Sequence, residues 1–218
     1  MESSATIIQL EPGLAPCTRT FTYQVVKRLM DCAVALCVLI VFSPVLAAIA
    51  VIIKLTSPGP VFYRWDVVGR GGQPLTGYKF RTMVINADQI KEDIIAQNER
   101  KGPTFKMKRD PRITSVGRFL RKFSLDELPQ LWSVIKGDMS LVGPRPMFLH
   151  EWQQLEGWQR RKLSVTPGMV CLWHVRGTSA TFDEWIRFDL TYVDHWSLWL
   201  DIQVLFGTAL YVLSGRNY

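Results

Sequence analysis

KRLMDCAVALCVLIVFSPVLAAIAVIIKLTSPGP, residues 27–60, contains a long apolar run. No charged residue lies between Asp31 and Lys54, and a helix of that length crosses the hydrocarbon core of a bilayer, which is about 30 Å thick. A single spanning helix is therefore one interpretation. A secretory signal peptide fits poorly, because the run starts late, is long and has no small-residue cleavage site.

Two features of this segment favour a different arrangement. Ser43-Pro44 lies at its middle, where proline removes a backbone donor and crowds the preceding turn. Cations flank both ends, which suits a segment whose two ends share the cytoplasmic face: Arg19, Lys27 and Arg28 before it, and Lys54, Arg64 and Arg70 after it. A helix-break-helix hairpin that enters one leaflet satisfies both features, and the residues alone leave it open against a kinked spanning helix. Arg28 and Asp31 have the spacing of an ion pair where the segment enters the membrane.

The composition of the whole chain indicates a polyanionic partner. Its 218 residues carry a formal charge of +7, which suits nucleic acid, an anionic membrane surface or phosphorylated substrates. A mean hydropathy of +0.07 and eight tryptophans favour the membrane over nucleic acid. The four cysteines form no CxxC pair and the three histidines are scattered, which argues against a disulfide framework, a zinc site or a histidine metal cluster.

Around the apolar run, the patterns predict an α+β fold that is mostly helical. A mobile tail (1–22) precedes a membrane helix (23–55) and a catalytic domain (56–218) on the cytosolic face. Residues 61–83 predict a β-hairpin around Gly69–Gly72, and residues 86–102 a charged helix. Residues 113–123 predict a short helix that brings Arg118 and Arg121 close together. Residues 183–215 predict two amphipathic helices, whose tryptophans Trp185, Trp196 and Trp199 suit either core packing or a membrane interface.

RKFSLDELPQLW, residues 121–132, raises a question of chemistry. One interpretation is structural: Ser124 and Glu127 form a capping box, Asp126 complements the helix dipole, and Gly137 ends the helix. The other is catalytic, because the preceding stretch KMKRDPRITSVGRFLRKF, residues 106–123, is strongly basic.

In the catalytic interpretation, the cations hold a substrate that is itself a polyanion. Arg112, Arg118 and Arg121 neutralise phosphoryl oxygens, so that an ionised Asp126 can attack phosphorus. Glu127 holds Mg²⁺, which typically takes one or two protein carboxylates together with substrate phosphates. Arg145, fixed between Pro144 and Pro146, suits bidentate phosphate contact or stacking on a base. A plain structural turn is the alternative for that block.

Four ordered blocks resemble the bacterial monotopic phosphoglycosyl transferases, also called bacterial sugar transferases: YKFRTM (78–83), DPRITSVGRFLRKFSLDELPQLWSVIKGDMSLVGPRP (110–146), TPGM (166–169) and FDLTYVDHWSLWLDI (188–202). The resemblance implies transfer of a sugar 1-phosphate from a UDP-sugar to a membrane polyprenyl phosphate, with release of UMP. This reaction begins a surface glycan on the cytoplasmic face of the bacterial inner membrane. The implied enzyme is monotopic, with a membrane helix broken at Ser43-Pro44.

The resemblance also implies roles for individual residues. Asp126 is the nucleophile that carries a phosphosugar intermediate, and Glu127 assists it and holds Mg²⁺. Further implied substrate ligands are Lys79, Arg81, Arg121 and the block Pro144-Arg145-Pro146.

Other aspects of the reaction stay open. Cys171, His174 and Arg176 depart from many relatives in a region expected to influence the choice of sugar, for which glucose or galactose is preferred. Two alternatives remain, a basic membrane scaffold without turnover and a phosphohydrolase. We expect no nucleic-acid partner, and the oligomeric state, a homodimer included, is left open.

Overall fold

The computed structural model describes residues 19–99, 105, 107, 109–176 and 181–214. Most of these residues are helical, as predicted, and the hairpin is a small antiparallel sheet. The helices are α1 (Phe21–Thr56), α2 (Ala87–Ile94), α3 (Ser115–Lys122), α4 (Leu131–Lys136), α5 (Leu149–Gln153), α6 (Gly157–Arg160), α7 (Leu172–Arg176), α8 (Phe182–His195) and α9 (Leu198–Leu213). The strands are β1 (Phe62–Val68), β2 (Pro74–Phe80), β3 (Ser140–Val142) and β4 (Gly168–Val170). Most of the predicted tail lies outside the described residues, and α1 begins at Phe21.

Two short sheets lie outside helix α1. β1 and β2 are antiparallel, with Trp65 opposite Gly77. A side chain at Gly77 would overlap the Trp65 ring, so glycine lets that ring lie flat across the sheet. Gly71 adopts a left-handed conformation in the connecting turn, where glycine carries no steric penalty. β3 and β4 pair in parallel and lie inside the main core.

Helix α1 continues through Ser43-Pro44 and does not end there. The predicted interruption is therefore absent as a break in the helix. Pro44 has no N–H for the carbonyl of Ile40, and the Ser43 hydroxyl donates to that carbonyl instead, at 2.8 Å. The serine thus satisfies the acceptor that the proline leaves free, which allows the helix to persist in apolar surroundings.

The exposure of α1 separates it from the core helices of soluble proteins. Its most apolar window has a mean hydropathy of 3.0, yet only 11% of that window is buried inside the molecule. Length and composition would let α1 cross a membrane. An apolar helix with so little burial needs an apolar environment outside the chain.

Both halves of α1 contact the same body. In the N-terminal half, Lys27 donates to Asp201 of α9 at 2.7 Å. In the C-terminal half, Ile49 and Ile53 are buried with Phe80 and Leu120. Between these two contacts lies an exposed apolar stretch, Ile40, Val41 and Phe42. The helix therefore packs against this body in both halves and is exposed between them, at Ile40, Val41 and Phe42.

The predicted ion pair between Arg28 and Asp31 does not form. Arg28 instead donates to the backbone carbonyls of Val134 and Ile135 at the end of α4. Asp31 lies 3.5 Å from the ammonium of Lys27 and accepts a hydrogen bond from Ser140 at 2.7 Å. The free carbonyls at a helix C-terminus attract a cation, and tertiary packing brings Arg28 to them.

The three tryptophans in the region of α8 and α9 differ in exposure. Trp185 and Trp196 are buried, whereas the side chain of Trp199 is 67% exposed. Trp199 begins a stripe of exposed apolar residues along α9, continued by Ile202, Phe206, Leu210 and Leu213. Asp201 and Val204 face inward. α9 is thus amphipathic, with an apolar face that nothing in the described residues covers.

Candidate active site

The Asp126-Glu127 pair lies on a tight turn and not on a regular α-helix. Residues Leu125–Gln130 form a 3-10 turn that leads into α4. Ser124 has a left-handed backbone, and its side chain does not cap the turn, so the predicted capping box is absent. A capping residue normally has extended backbone angles, which explains the difference. Gly137 does end α4 in a left-handed conformation, as predicted.

Strand β2 brings the first cation to this turn. The ammonium of Lys79 lies 2.6 Å from a carboxylate oxygen of Glu127, and it also sits 4.8 Å above the Trp65 ring. Asp126 is buried, with 8% of its surface exposed. One acid of the pair is thus neutralised by lysine, and its neighbour is enclosed without a direct ion pair in the described residues.

This arrangement separates the acidities of the two carboxyl groups. Burial and the adjacent charge of Glu127 raise the pKa of Asp126 to about 6, against the opposing effect of Lys79 and Arg121. Burial also acts to raise the pKa of Glu127, but the attraction of Lys79 outweighs it and the net shift is downward. At neutral pH both are therefore mainly ionised, and Asp126 is the more basic of the two.

Helix α3 positions the second cation. Thr114 caps the helix by accepting from the Gly117 amide at 2.9 Å. A side chain at Gly117 would collide with the Thr82 carbonyl, so glycine permits close packing against the segment after β2. Arg121 then donates through Nε to the Thr82 hydroxyl at 2.9 Å. Its positive charge acts on Asp126.

The predicted closeness of Arg118 and Arg121 does not make them equivalent. Arg118 is exposed, and its side chain has no hydrogen bond or ion pair within the described part of the chain. Arg121 is half-buried beside the carboxylates. The structure therefore places only Arg121 at the site.

Two other predicted phosphate ligands are engaged elsewhere. Arg112 forms a buried bidentate pair with Asp110, with its nearest nitrogen 2.6 Å from the carboxylate. Arg81 donates to the backbone carbonyls of Ser57 and Pro58 just after α1. Both guanidinium groups hold the scaffold together, and their role as substrate ligands stays a prediction.

The Pro144-Arg145-Pro146 block supplies a further cation that acts on Glu127. Pro144 and Pro146 are buried, and the Pro144 carbonyl accepts from the Gly168 amide at 2.9 Å. The Arg145 guanidinium lies 5.7 Å from the Trp185 ring centre and 3.9 Å from Glu151. It is close enough to lower the pKa of Glu127. The pre-setting of this arginine by its prolines stays a prediction.

An apolar groove of about 460 Å³ opens beside the carboxylate turn. Its lining combines the middle of α1, the hairpin and the start of α4: Leu39, Leu46, Ala47, Ala50, Phe62, Tyr78, Phe80, Pro129 and Trp132. Tyr78 and Phe80 point to the opposite face of β2 from Lys79, and Pro129 lies on the same turn as Asp126. The groove therefore meets the carboxylate turn at Pro129.

Comparison with known proteins identifies the family. The sequence profile of the bacterial sugar transferases matches residues 22–215. The chain belongs to the bacterial sugar transferase family. The resemblance carried by the four sequence blocks is thereby confirmed.

Three relatives illustrate the range of the family. Galactosyl transferase CpsE of Streptococcus agalactiae serotype III is 39% identical over 200 residues, which cover 90% of this chain and 44% of that protein. Undecaprenyl-phosphate galactose phosphotransferase of Salmonella typhimurium is 41% identical over 213 residues, covering 95% and 44%. Exopolysaccharide production protein ExoY of Rhizobium meliloti is 38% identical over 196 residues, covering 88% and 87%. The chain spans less than half the length of the first two relatives.

His174 is a residue at this bacterial sugar transferase site to which the sequence analysis assigned no role. Burial lowers its pKa to about 4, and Glu127, Arg145 and Lys79 all act on it. These are the same charges that surround the carboxylate pair. In the sequence, the departure from the family pattern at position 174 marked this residue. That departure did not reveal where its side chain lies.

The carboxylate pair fits a magnesium ion better than a metal with many protein ligands. The described residues contain no cluster of three or more histidine, cysteine, aspartate or glutamate side chains that could hold a metal. Asp126 and Glu127 are adjacent acids, and Mg²⁺ usually binds through one or two carboxylates with water and phosphate oxygens completing its shell. In this family site, Glu127 is therefore the candidate magnesium ligand.

Proposed function

We propose that the chain transfers a sugar 1-phosphate from a UDP-sugar to a membrane polyprenyl phosphate and releases UMP. The observation that carries this proposal is the buried Asp126 between Lys79 and Arg121, with an apolar groove beside it. The family and the names of its relatives support the same reaction. The product would begin a lipid-linked surface polysaccharide.

Asp126 is the nucleophile in this proposal. Its carboxylate oxygen attacks the phosphorus that bears the sugar, and the bond from that phosphorus to UMP breaks. In the second step, an oxygen of the polyprenyl phosphate attacks the same phosphorus. The bond to Asp126 then breaks, which regenerates the carboxylate and yields the polyprenyl-diphosphate sugar. One carboxylate thus serves two substrates in turn.

The cations make the first step feasible. Attack by an anion on an anionic phosphate is opposed by repulsion unless positive groups neutralise the phosphoryl oxygens. Lys79, Arg121 and Arg145 supply that charge from different sides of the carboxylate pair. Mg²⁺ held by Glu127 would add further neutralisation of the diphosphate.

The acceptor lipid fits the apolar groove. An isoprenoid chain lying along Trp132 would bring its phosphate past Pro129 toward the turn that carries Asp126. Because α1 forms one wall, the groove is open to the lipid in which that helix is embedded. The lipid substrate could therefore reach the site without leaving the bilayer.

The same contacts support a monotopic arrangement in the bacterial inner membrane. Both ends of α1 pack on one catalytic body, and its bare middle around Pro44 would dip into the cytoplasmic leaflet. The exposed face of α9 would lie at the interface. This re-entrant topology keeps Asp126 at headgroup depth on the cytoplasmic side.

Single cysteines at the two ends of α1 test the topology. Phe21 and Leu55 are 82% and 80% exposed, so Phe21→Cys and Leu55→Cys in a cysteine-free background should react with a thiol reagent. We expect neither to react when an impermeant reagent is added outside intact cells, and both to react after the cells are opened. Labelling of either cysteine from outside would show that α1 crosses the membrane.

The preferred donor is a UDP-hexose. The names of two of the relatives compared above specify galactose, which supports galactose or glucose as the transferred sugar. A panel of UDP-sugars with UMP release as the readout decides between them. A sugar outside this pair as the fastest donor would overturn the preference and leave the reaction class intact.

Mass spectrometry and UMP release test the reaction itself. Enzyme quenched during turnover should carry a sugar phosphate on Asp126, and Asp126→Asn should lose both the adduct and UMP release while remaining on the membrane. A basic scaffold would release no UMP with any donor. A phosphohydrolase would release it without polyprenyl phosphate.

A further inference from the structure

The imidazole of His174 is fixed in one protonation form by a local hydrogen bond. Its Nδ1 accepts from the backbone amide of Cys171 at 3.0 Å. A ring nitrogen that accepts a hydrogen bond carries no proton, so the proton of the neutral ring lies on Nε2. Nε2–H has no partner among the described residues. This N–H therefore points in a fixed direction and is available to donate to a substrate.

A continuous aromatic stack connects His174 to Arg145. The His174 ring lies 4.0 Å from the Trp173 ring centre, Trp173 stacks on Trp185 at 4.8 Å, and Arg145 lies over Trp185. Side chains that pack in this way lose their rotational freedom. The stack therefore holds the imidazole rigidly on the side of the site where Arg145 lies.

The charged groups of the proposed site act on His174. Glu127 and Lys79, which contact each other at 2.6 Å, both act on the ring. In the proposed reaction, the transferred sugar is bonded directly to the phosphorus that Asp126 attacks, whereas the uridine is one phosphate further away. The donor hydroxyls nearest to that phosphorus are therefore those of the sugar.

We propose that Nε2–H of His174 donates a hydrogen bond to a hydroxyl of the transferred sugar and thereby helps to select the sugar. This inference rests on the proposed function. A neutral donor suits an uncharged hydroxyl, because ionised phosphate oxygens gain most from charged donors, and Lys79, Arg121 and Arg145 already provide those. Replacing His174 with Gln or with Phe distinguishes the effect of the N–H donor from the effect of the aromatic ring.

The test uses the full chain with polyprenyl phosphate and UMP release as the readout. His174→Phe keeps an aromatic ring on Trp173 but has no N–H, whereas His174→Gln places an amide N–H near the position of Nε2. Both variants remove Nδ1, so the difference between them reports the distal donor. Donors are the preferred UDP-hexose and a set of its monodeoxy analogues, one for each sugar hydroxyl.

We expect the unmodified enzyme to discriminate against one deoxy analogue by about tenfold to a hundredfold in kcat/KM, the effect of one lost hydrogen bond to a buried donor. His174→Phe should lose about that factor for the parent sugar and show no further loss with that analogue. His174→Gln should recover part of both values. Inhibition by UDP, which lacks the sugar, should be the same in all three proteins.

The remaining outcomes contradict the inference. A uniform loss for every donor, accompanied by weaker inhibition by UDP, would place the contact on a phosphate. Unchanged discrimination in His174→Phe would show that Nε2 contacts no hydroxyl. Either result would leave the transferase reaction standing. Absence of UMP release from the unmodified enzyme would instead overturn the proposed function and this inference with it.

Discussion

The salt bridge between Lys79 and Glu127 provides a demanding test of the site. Lys79→Met removes the cation that lies 2.6 Å from Glu127 and that acts to lower the pKa of Asp126. A hydrogen bond to a charged group contributes about 1.5–3 kcal/mol, and about 1.4 kcal/mol corresponds to a tenfold change in rate. In the transition state, we expect Lys79 to make an equivalent contact to the substrate phosphate. Loss of that contact in Lys79→Met should lower kcat/KM about tenfold to 150-fold above neutral pH.

The pH dependence of the same variant gives a second readout with a defined sign. Asp126 attacks only when ionised, and its pKa of about 6 sets the acid limb of the kcat/KM profile. Removing Lys79 removes an effect that lowers this pKa, so the pKa rises and the acid limb moves to higher pH. The loss of activity should therefore be larger near pH 6 than in mildly alkaline solution.

Lys136→Met is the matched control. Lys136 forms a pair of similar length with Asp138, at 2.7 Å, but that pair is exposed and acts on neither carboxylate of the site. We expect its pH profile of UMP release to match that of the unmodified enzyme. Parallel profiles for Lys79→Met and the unmodified enzyme would refute the electrostatic reasoning, as would an equal loss in the control.

Four further predictions concern stability, membrane binding and the metal. Arg112→Gln leaves Asp110 buried without its partner, so the free energy of unfolding should fall by about 3–5 kcal/mol while the folded fraction keeps its kcat/KM; a lost activity without lost stability would restore Arg112 as a substrate ligand. Arg28→Gln should lower the free energy of unfolding by about 1–3 kcal/mol, measured by denaturant titration, and an unchanged midpoint would contradict its role at the end of α4. Phe206→Glu places a charge on the exposed face of α9 and should weaken co-sedimentation with anionic vesicles without changing the unfolding transition; unaltered sedimentation would exclude that face from the membrane. Chelation of divalent cations should stop UMP release and added Mg²⁺ should restore it, whereas turnover in chelator would rule out a required metal.

Local patterns in the sequence predicted the elements of the fold well. The glycines at 69–72 predicted the hairpin turn, and Gly137 predicted the end of α4. Both depend on backbone conformations that neighbouring residues determine. The adjacent acids Asp126 and Glu127 indicated a candidate site for a similar reason, because neighbours in the chain are also close in space.

Partners distant in the sequence could not be predicted in this way. Composition shows that Arg81 is cationic, but only the packing of β2 against the end of α1 turns it toward Ser57 and Pro58. Arg28 has an acid at ion-pair spacing, yet its guanidinium donates to carbonyls of α4 that lie more than a hundred residues later in the chain. His174 reaches the site through the stacking of helices α7 and α8, for which no short motif exists. The sequence therefore indicated which charges the chain has, and tertiary structure decided which of them stayed free for a substrate.

The contact between Lys27 and Asp201 joins positions 174 residues apart, which bears on how the protein is made. The ribosome delivers the anchor helix first, when only the nearby Asp31 is available to offset the lysine. The nascent chain must keep this ammonium hydrated until helix α9 has been synthesised and folds back. The N-terminal half of α1 therefore reaches its final packing only late in translation, once Asp201 is available to Lys27.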